Sequence, residues 1–485
     1  MAIHGLSRLA VHVGYGATSF ASAALHNLFI TYYIQLFLSV YEVDLWWFYV
    51  GQTVYLVWNS VNDPLFGWLL HSSSLLHRDT PHERVSRICR FIEYGGYLWV
   101  LSLWLIFLPS TPSERGPASL PASPLLTGLH FALAICFYDG MLSMVMLAHG
   151  ALMADLTLLD SERASLNSSS AVGSLVGSLS LALSHVFWDR HNLSSFRTYI
   201  YCVGVLAAIA FRVTGSLFSR LSPSSTDSIS SSSDSKKGHG HTPSLWTDLS
   251  RHWRQLLDHR NFWLFVASVW VQVLNCHFNN NFMAVFVDLF IPAGLSFVKS
   301  SLLSLGGFLP HFTVILCSRL LKAPTAGLSV YGLLSALYRL KFLLAVAALL
   351  VFWACGSQPS WVFYACLIVA FKVSNETVCR HGSLVLSDIV DEDVVKNSRP
   401  VSSSTFIFGA NALFTKSAQS FAPMLTWPFL VHTGSDPEPA FYLLVLTPLV
   451  ISLIQMAIWR TFTLHSTYLT RIKSIRDTLG EEAAP

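Results

Sequence analysis

The chain has 485 residues, of which 53% are hydrophobic and 12% are charged, and its mean hydropathy is +0.51. This composition is typical of membrane proteins and argues against a water-soluble globular protein. The formal net charge of +3 lacks the basic excess typical of nucleic-acid binding, so we expect no nucleic-acid partner.

Apolar segments long enough to cross a bilayer recur along the whole chain. A helix needs about 20 mainly apolar residues to cross the hydrocarbon core. The first such segment follows Arg8 without a small-residue cleavage site, which predicts a retained helix. The sequence therefore predicts an all-α integral membrane protein with twelve transmembrane helices. The candidate spans are 10–37, 45–70, 91–110, 124–156, 169–188, 197–219, 262–290, 296–320, 331–355, 359–387, 402–430 and 440–460.

Lysine and arginine positions set the expected orientation. With both termini in the cytosol, 22 of the 30 basic residues fall on the inner side, 4 on the outer side and 4 within spans. Because short cytoplasmic loops are enriched in these residues, we expect both termini to be cytosolic. Asn192, in the sequon Asn192-Leu193-Ser194, then lies in an outer loop and is a candidate glycosylation site. We expect a monomer in the plasma membrane, with the lipid bilayer and a small-molecule substrate as its partners.

The second span carries an acidic residue near its centre, within Trp58–Pro64. A carboxylate at mid-membrane costs roughly 2.5–3.5 kcal/mol, so it needs a partner or a function. Asn59 and Asp63 are four residues apart and share a helix face. Pro64 has no N–H, so the carbonyl of Ser60 is left without its usual partner. We predict that Asp63, Asn59 and Ser60 bind a cation, either Na⁺ or a proton.

A Ser-rich segment, 222–235, divides the chain and predicts a disordered cytosolic linker. It separates an N-terminal six-helix half (1–221) from a C-terminal six-helix half with a cytosolic tail (261–485). The intervening region (222–260) also contains apolar residues at helical spacing interleaved with arginines. That pattern predicts a basic amphipathic helix, which lies either on the inner membrane surface or against neighbouring loops.

The two halves share a short internal repeat. His149-Gly150-Ala151-Leu152 precedes Asp155, and His381-Gly382-Ser383-Leu384 precedes Asp388, some 232 residues later. Together with six spans on each side of the linker, the repeat predicts two parallel-repeat halves with a binding site between them near the midplane.

Five segments carry a resemblance to a known family, namely Gly14-Tyr15-Gly16 to Tyr32-Tyr33, Trp58 to Trp68, Phe137-Tyr138-Asp139, Phe414 to Ser417 and Ser387 to Asp391. With the six-plus-six layout, they resemble the major facilitator superfamily and, within it, the glycoside–pentoside–hexuronide cation symporters typified by melibiose permease. The resemblance implies the major facilitator fold, a second cation ligand at Asp139 and a coupling role for Lys416. Similarity to an orphan branch of the group rests on Trp58-Asn59-Ser60, Leu274 to Asn279, Asp391-Glu392-Asp393 and Phe462 to His465.

The chain departs from that family where the melibiose type binds sugar. Asn59 stands where the family has the first aspartate of the second span. The aspartate of the family's first span falls near Thr18 or Ser19, neither of which is acidic, and the fifth span has no arginine at its start. We therefore expect a small polar or amphipathic solute, either sugar-like or lysolipid-like. The candidate substrate-binding residues are Tyr15, Ser19, Asn275, His277, Asn279 and Glu376.

Two polar groups in the second half allow alternative interpretations. The amides of the seventh span either line a cavity or hold helices together. Lys372, Glu376 and Arg380 are spaced four residues apart on the tenth span. They form either a structural pair between the halves or a contact for an anionic substrate.

The functional hypothesis is cation-coupled symport. Lys416 would pair with Asp63 or Asp139, and a cation would compete with its ammonium group for the carboxylate. The alternative is a transporter-like membrane protein that no longer transports and acts through protein partners. We expect no enzyme activity and no cofactor beyond Na⁺ or H⁺ as coupling ion, since the 19 histidines lack metal spacing and no phosphate-binding loop occurs. The eight cysteines fit neither a zinc site nor a disulfide framework and are interpreted as small buried apolar residues.

Overall fold

A computed structural model of the chain describes residues 8–77, 81–108, 124–188, 192–219, 245–322, 328–356, 359–399, 402–419, 421, 437–464 and 467–482. The elements within these residues are helices. A π-helical turn, Leu36–Val40, follows the first helix. The helices are α1 (Arg8–Gln35), α2 (Leu45–His77), α3 (Pro81–Ile106), α4 (Pro124–Leu156), α5 (Asp160–Phe187), α6 (Ser194–Ser219), α7 (Leu245–Leu257), α8 (Arg260–Phe290), α9 (Ser296–Lys322), α10 (Val330–Ala354), α11 (Trp361–Lys396), α12 (Ser404–Thr415), α13 (Pro437–Thr461) and α14 (Thr467–Glu482).

Each of the twelve predicted spans overlaps one of these helices. Six helices, namely α4, α6, α9, α10, α11 and α13, are long and apolar enough to cross a membrane by length and composition. For the other six, membrane crossing stays a prediction. Helix α11 has 36 residues and is about 54 Å long at 1.5 Å per residue, so it is longer than a single crossing of the hydrocarbon core requires.

In chain order, the long helices form a first group, α1 to α6, and a second group, α8 to α13. Helices α1 to α6 pack on one another through α1–α5, α1–α6, α2–α4, α3–α4 and α3–α6 contacts. Within the second group the main contacts are α8–α11, α8–α13, α9–α11 and α10–α13, whereas α12 packs mainly on α2 and α4 of the first group. The groups meet where α2 contacts α12, α5 contacts α9 and α4 contacts α11. The limits that the sequence assigns to the two halves stay a prediction, and the linker at 222–235 lies outside the described residues.

Glycine allows α2 and α12 to approach closely across the boundary between the groups. A Cβ atom on Gly67 would lie 2.6 Å from the carbonyl oxygen of Thr405 and 3.3 Å from the Cα of Gly409. Small residues permit such backbone contact between membrane helices. The close approach brings the end of α12, and with it Lys416, against α2.

Helix α7 is the amphipathic helix that the sequence predicts after the linker. Leu256 is buried, and Leu249 and Trp253 pack against the core of the bundle. The Trp253 ring centre lies 5.3 Å from that of Phe406 on α12. The apolar face of α7 is therefore at least partly covered by the protein itself.

Two sequence-based assignments differ from the structure. Cys276 on α8 and Cys379 on α11 pair as a disulfide, and Cys202, Cys355 and Cys366 are exposed, so the cysteines are not all buried thiols. The paired residues are 103 positions apart, and only the packing of α8 on α11 brings them together.

Lys341 is the second difference, since the 22 basic residues assigned to the inner side include it. It lies fully buried in α10, where Nζ donates to the side-chain oxygens of Gln272 and Gln455, each at 2.8 Å. Two amides from α8 and α13 take the place of water around this ammonium group.

Candidate functional site

An ion pair between α2 and the end of α12 is the centre of the candidate site. Lys416 Nζ lies 2.7 Å from Oδ2 of Asp63, whose side chain is 4% exposed. The same ammonium group donates to Ser143 Oγ at 2.7 Å and to Asn62 Oδ1 at 3.2 Å. Lys416 is therefore held by oxygen atoms from α2 and α4, all belonging to the other group of helices.

Asp139 on α4 is the second buried carboxylate of the site. Asn62 Nδ2 donates to its Oδ2 at 2.6 Å, and the Tyr55 hydroxyl donates to its Oδ1 at 3.4 Å. The Asn62 amide thus connects Asp139 with the ammonium of Lys416. Two carboxylates and one ammonium group leave this buried cluster with a formal charge of −1. A monovalent cation or a proton would neutralise it.

The structure brings together Asp63, Asp139 and Lys416 but gives the other two predicted cation ligands different surroundings. Asn59 is buried, and its Oδ1 accepts no hydrogen bond from the described residues. The Ser60 hydroxyl donates to the Leu56 carbonyl at 2.9 Å within its own helix. Asn62 is the residue that sequence reasoning missed here, although it directly precedes Asp63.

Tyr15 and Ser19, predicted to contact substrate, are both bound to His149 of α4. The Tyr15 ring stacks on the imidazole with ring centres 4.0 Å apart. Ser19 Oγ lies 3.0 Å from His149 Nε2 and 2.7 Å from Ser170 Oγ. These polar groups are buried and hydrogen-bonded internally, so they join α1, α4 and α5.

The amides of α8 lie mostly between helices. Asn275 Nδ2 donates to the side-chain oxygen of Asn375 on α11 at 2.8 Å, which favours helix contact over cavity lining for Asn275. Asn279 Nδ2 donates to the Asn275 carbonyl at 2.9 Å, a bond within α8 itself. His277 is half-buried and within electrostatic range of Glu376, so these two candidates lie near each other.

A second set of charges closes the end of the bundle at which α14 lies, which we call the tail end. Arg84 Nε lies 2.9 Å from Asp155 Oδ2, and Ser404 Oγ accepts from Arg84 and donates to Asp155. Arg163 on α5 is 1% exposed and contacts Asp388 at 2.7 Å and Asp391 at 2.9 Å, both on α11. These contacts connect the two groups of helices.

Helix α14 adds further cations to the tail end. Lys473 pairs with Asp160 of α5 and lies 2.8 Å from Asp388, while Arg476 pairs with Asp391. The pKa of Arg476 is lowered to about 10, mainly because its guanidinium is buried and also because the positive charge of Arg163 lies nearby. Sequence reasoning missed this helix as a partner of the acids, because it lies some 85 residues from Asp388 along the chain.

The fold is that of a membrane transporter of the major facilitator type. The sequence profile of the MFS/sugar transport protein family matches residues 14–459. The chain belongs to that family.

Its relatives include Transmembrane protein 180 of Gallus gallus, 32% identical over 99% of this chain and 97% of that protein. Transmembrane protein 180 of Mus musculus is 33% identical over 98% of this chain and 96% of that protein. The branch of the group that the sequence motifs resemble is that of Transmembrane protein 180, and these relatives confirm the resemblance.

Solved structures with the same fold include two transporters. A bacterial homologue of the iron transporter ferroportin in an outward-facing state has a TM-score of 0.65 and 12% identity, covering 95% of this chain and 100% of that one. The major facilitator proton:xylose symporter bound to 6-bromo-6-deoxy-D-glucose has a TM-score of 0.56 and 12% identity, covering 96% and 98%.

Proposed function

We propose that this transporter couples the movement of a cation, Na⁺ or H⁺, to the symport of a small polar or amphipathic organic solute, sugar-like or lysolipid-like. The supporting observation is the cluster of Asp63, Asp139 and Lys416, which is buried and carries a formal charge of −1. Uncompensated charge inside a membrane protein is costly and marks ion pathways. A bound cation removes that cost.

The position of Lys416 supplies the coupling step. It belongs to one group of helices, and its partners Asp63, Asn62 and Ser143 belong to the other. A cation that binds Asp63 competes with the ammonium group and so weakens the contact between α12 and α2. A ligand that binds one arrangement of the two groups more tightly shifts the equilibrium toward it.

The tail-end ion pairs act as the gate on one side of the membrane. We place both termini in the cytosol and the protein in the plasma membrane, so the tail end faces the cytosol. The Arg163 contacts with Asp388 and Asp391 then close the cytosolic side in this structure. Inward opening requires these contacts to separate.

Thermal stability of the purified protein tests the proposal. Binding to the folded state stabilises it by RT ln(1 + [L]/Kd), about 2.7 kcal/mol when the ligand is at 100 times Kd. We expect Na⁺ against choline, or lower pH, to raise Tm in the wild type and not in Asp63→Asn. Asp288→Asn is the matched control, because Asp288 is 75% exposed and pairs with Lys299. A wild type insensitive to both ions would contradict coupling and favour a transporter-like protein that acts through partners.

A further inference from the structure

A row of three charges on α11 contains one ion pair and one unpaired cation. Lys372 Nζ lies 2.9 Å from Oε1 of Glu376, one helical turn away. Asn280 of α8 donates to the same oxygen at 3.2 Å and pairs with Lys372 through its own side-chain oxygen. The charge of Lys372 is therefore neutralised locally by Glu376.

Arg380, one turn further along α11, has no such partner. Its guanidinium makes no hydrogen bond or ion pair with any residue in the part of the chain that the structure describes, and its Nε is buried. A guanidinium stays protonated in proteins and presents five donors. Glu376 is within electrostatic range of Arg380 but directs its bonds to Lys372 and Asn280. Arg380 thus keeps a charge and donors to offer a ligand.

A further polar group lies near Arg380, and the helix that carries this group has an open position one turn away from it. His311 of α9 is 5% exposed, its Nδ1 has no hydrogen-bond partner among the described residues, and it interacts electrostatically with Arg380. On the same helix, a Cβ atom on Gly307 would meet nothing within 4 Å. His277 of α8 interacts electrostatically with Glu376 and with His26 of α1, which belongs to the other group of helices. The cluster therefore adjoins the boundary between the groups.

The formal charge of the row is +1, with two cations and one carboxylate, whereas the cluster around Asp63 carries −1. We propose that Arg380 and His311 bind an anionic group, a carboxylate or a phosphate, on the transported solute. This rests on the proposed symport function and narrows its substrate class from polar or amphipathic solutes to those with an anionic group. Arginine binds carboxylate and phosphate through two parallel hydrogen bonds, a geometry that a neutral hydroxyl cannot satisfy.

The anion is carried by a water-soluble solute or by a lipid headgroup, and the test separates these sources. For a soluble source, we would measure Tm in detergent with sodium phosphate or sodium glucuronate as the anionic probe and with sodium chloride and glucose as the reference. For a lipid source, we would use nanodiscs of neutral phosphatidylcholine, with lysophosphatidic acid as the anionic probe and lysophosphatidylcholine as the reference. The variants are Arg380→Gln, Arg380→Lys and the control Arg339→Gln, which removes an exposed arginine of α10 bonded to Ser335.

We expect an anionic probe from one source to stabilise the wild type, with at least tenfold weaker apparent affinity in Arg380→Gln. Arg339→Gln should match the wild type, and Arg380→Lys should lie between the two. Equal anion shifts in the wild type and Arg380→Gln, or no shift in the wild type from either source, would overturn the proposal.

The response to the coupling ion is measured on the same samples. Arg380→Gln should keep the ion-dependent shift that Asp63→Asn loses, which shows that the variant is folded. If the wild type shows no ion-dependent Tm shift, the result counts against symport. If the anion-dependent Tm shift is the same in the wild type and in Arg380→Gln, the result counts only against the anion site.

Discussion

The ammonium group of Lys416 and the carboxylate of Asp63 lie 2.7 Å apart and belong to different groups of helices. Their contact depends on the close approach of α2 and α12, where Gly67 and Gly409 leave no room for side chains. An ion that displaces the ammonium group therefore acts directly on a contact between the two groups of helices. This pair is the structural basis of the proposed coupling.

Replacing Lys416 with methionine should expose the cost of the buried acids. Removing one partner of a buried ion pair typically costs about 3–5 kcal/mol, so the variant should be less stable than the wild type in choline at neutral pH. Na⁺ or acid should restore more stability in Lys416→Met than in the wild type, since no ammonium competes. Denaturant unfolding in detergent measures both the loss of stability in choline and its recovery with Na⁺ or acid. Lys299→Met, whose partner Asp288 is exposed, should cost about 0–1 kcal/mol.

Arg163 should contribute far more to stability than an exposed arginine on the same side of the molecule. Arg163→Met leaves Asp388 and Asp391 buried with fewer cations, so we expect a loss of about 3–5 kcal/mol in the free energy of unfolding. Arg8→Met is the matched control, because the Arg8 side chain is 82% exposed beside Glu162. Comparable losses in the two variants would argue against a tail-end gate held by buried ion pairs.

His259, which precedes α8, should make stability depend on pH. Burial lowers the pKa of this imidazole, and Glu392 and Asp393 oppose that shift only in part. Below about pH 6.5 the unfolded chain binds a proton that folded His259 refuses, so the contribution of this residue to stability falls as pH decreases. His259→Asn keeps a side-chain acceptor for the Phe262 N–H. As pH falls from 7.5 to 5, the free energy of unfolding of the variant should rise relative to that of the wild type, and a difference that does not change with pH would contradict the assignment.

Asn192 should carry a glycan when the protein is made in a eukaryotic membrane. It is exposed in the turn before α6, where its Oδ1 accepts from the Ser194 N–H at 3.1 Å. Treatment with a glycosidase should increase gel mobility for the wild type and leave Asn192→Gln unchanged. Asn167→Gln is the control, since Asn167, in the sequon Asn167-Ser168-Ser169, is buried in α5. A mobility shift that persists in Asn192→Gln would contradict the predicted orientation.

The helical architecture and the main charges of the site could be predicted from the sequence, because membrane spans and buried acids leave strong local signals. Asp63, next to Pro64 in an apolar segment, was identified in this way. Asp139 and Lys416 required the family resemblance. The bond from Asn62 to Asp139 could not be predicted, because it depends on how α2 is rotated against α4.

Contacts between distant segments were the main part that sequence reasoning could not supply. Arg163 is one of 22 basic residues assigned to the inner side, and nothing in its neighbourhood marks it as the partner of Asp388. The Cys276–Cys379 disulfide and the internal bonds of Ser19 with His149 also depend on helix packing. Spacing along one chain does not encode these pairings.

Helix α14 also imposes an order on biosynthesis. Its cations Lys473 and Arg476 are synthesised after the helices that they join, so the acids Asp160, Asp388 and Asp391 are made before these partners exist. Until residue 476 has left the ribosome, the newly made bundle carries an incomplete set of counter-charges at one end. The ion pairs of α14 at the tail end can therefore form only after the helices that they join have been made.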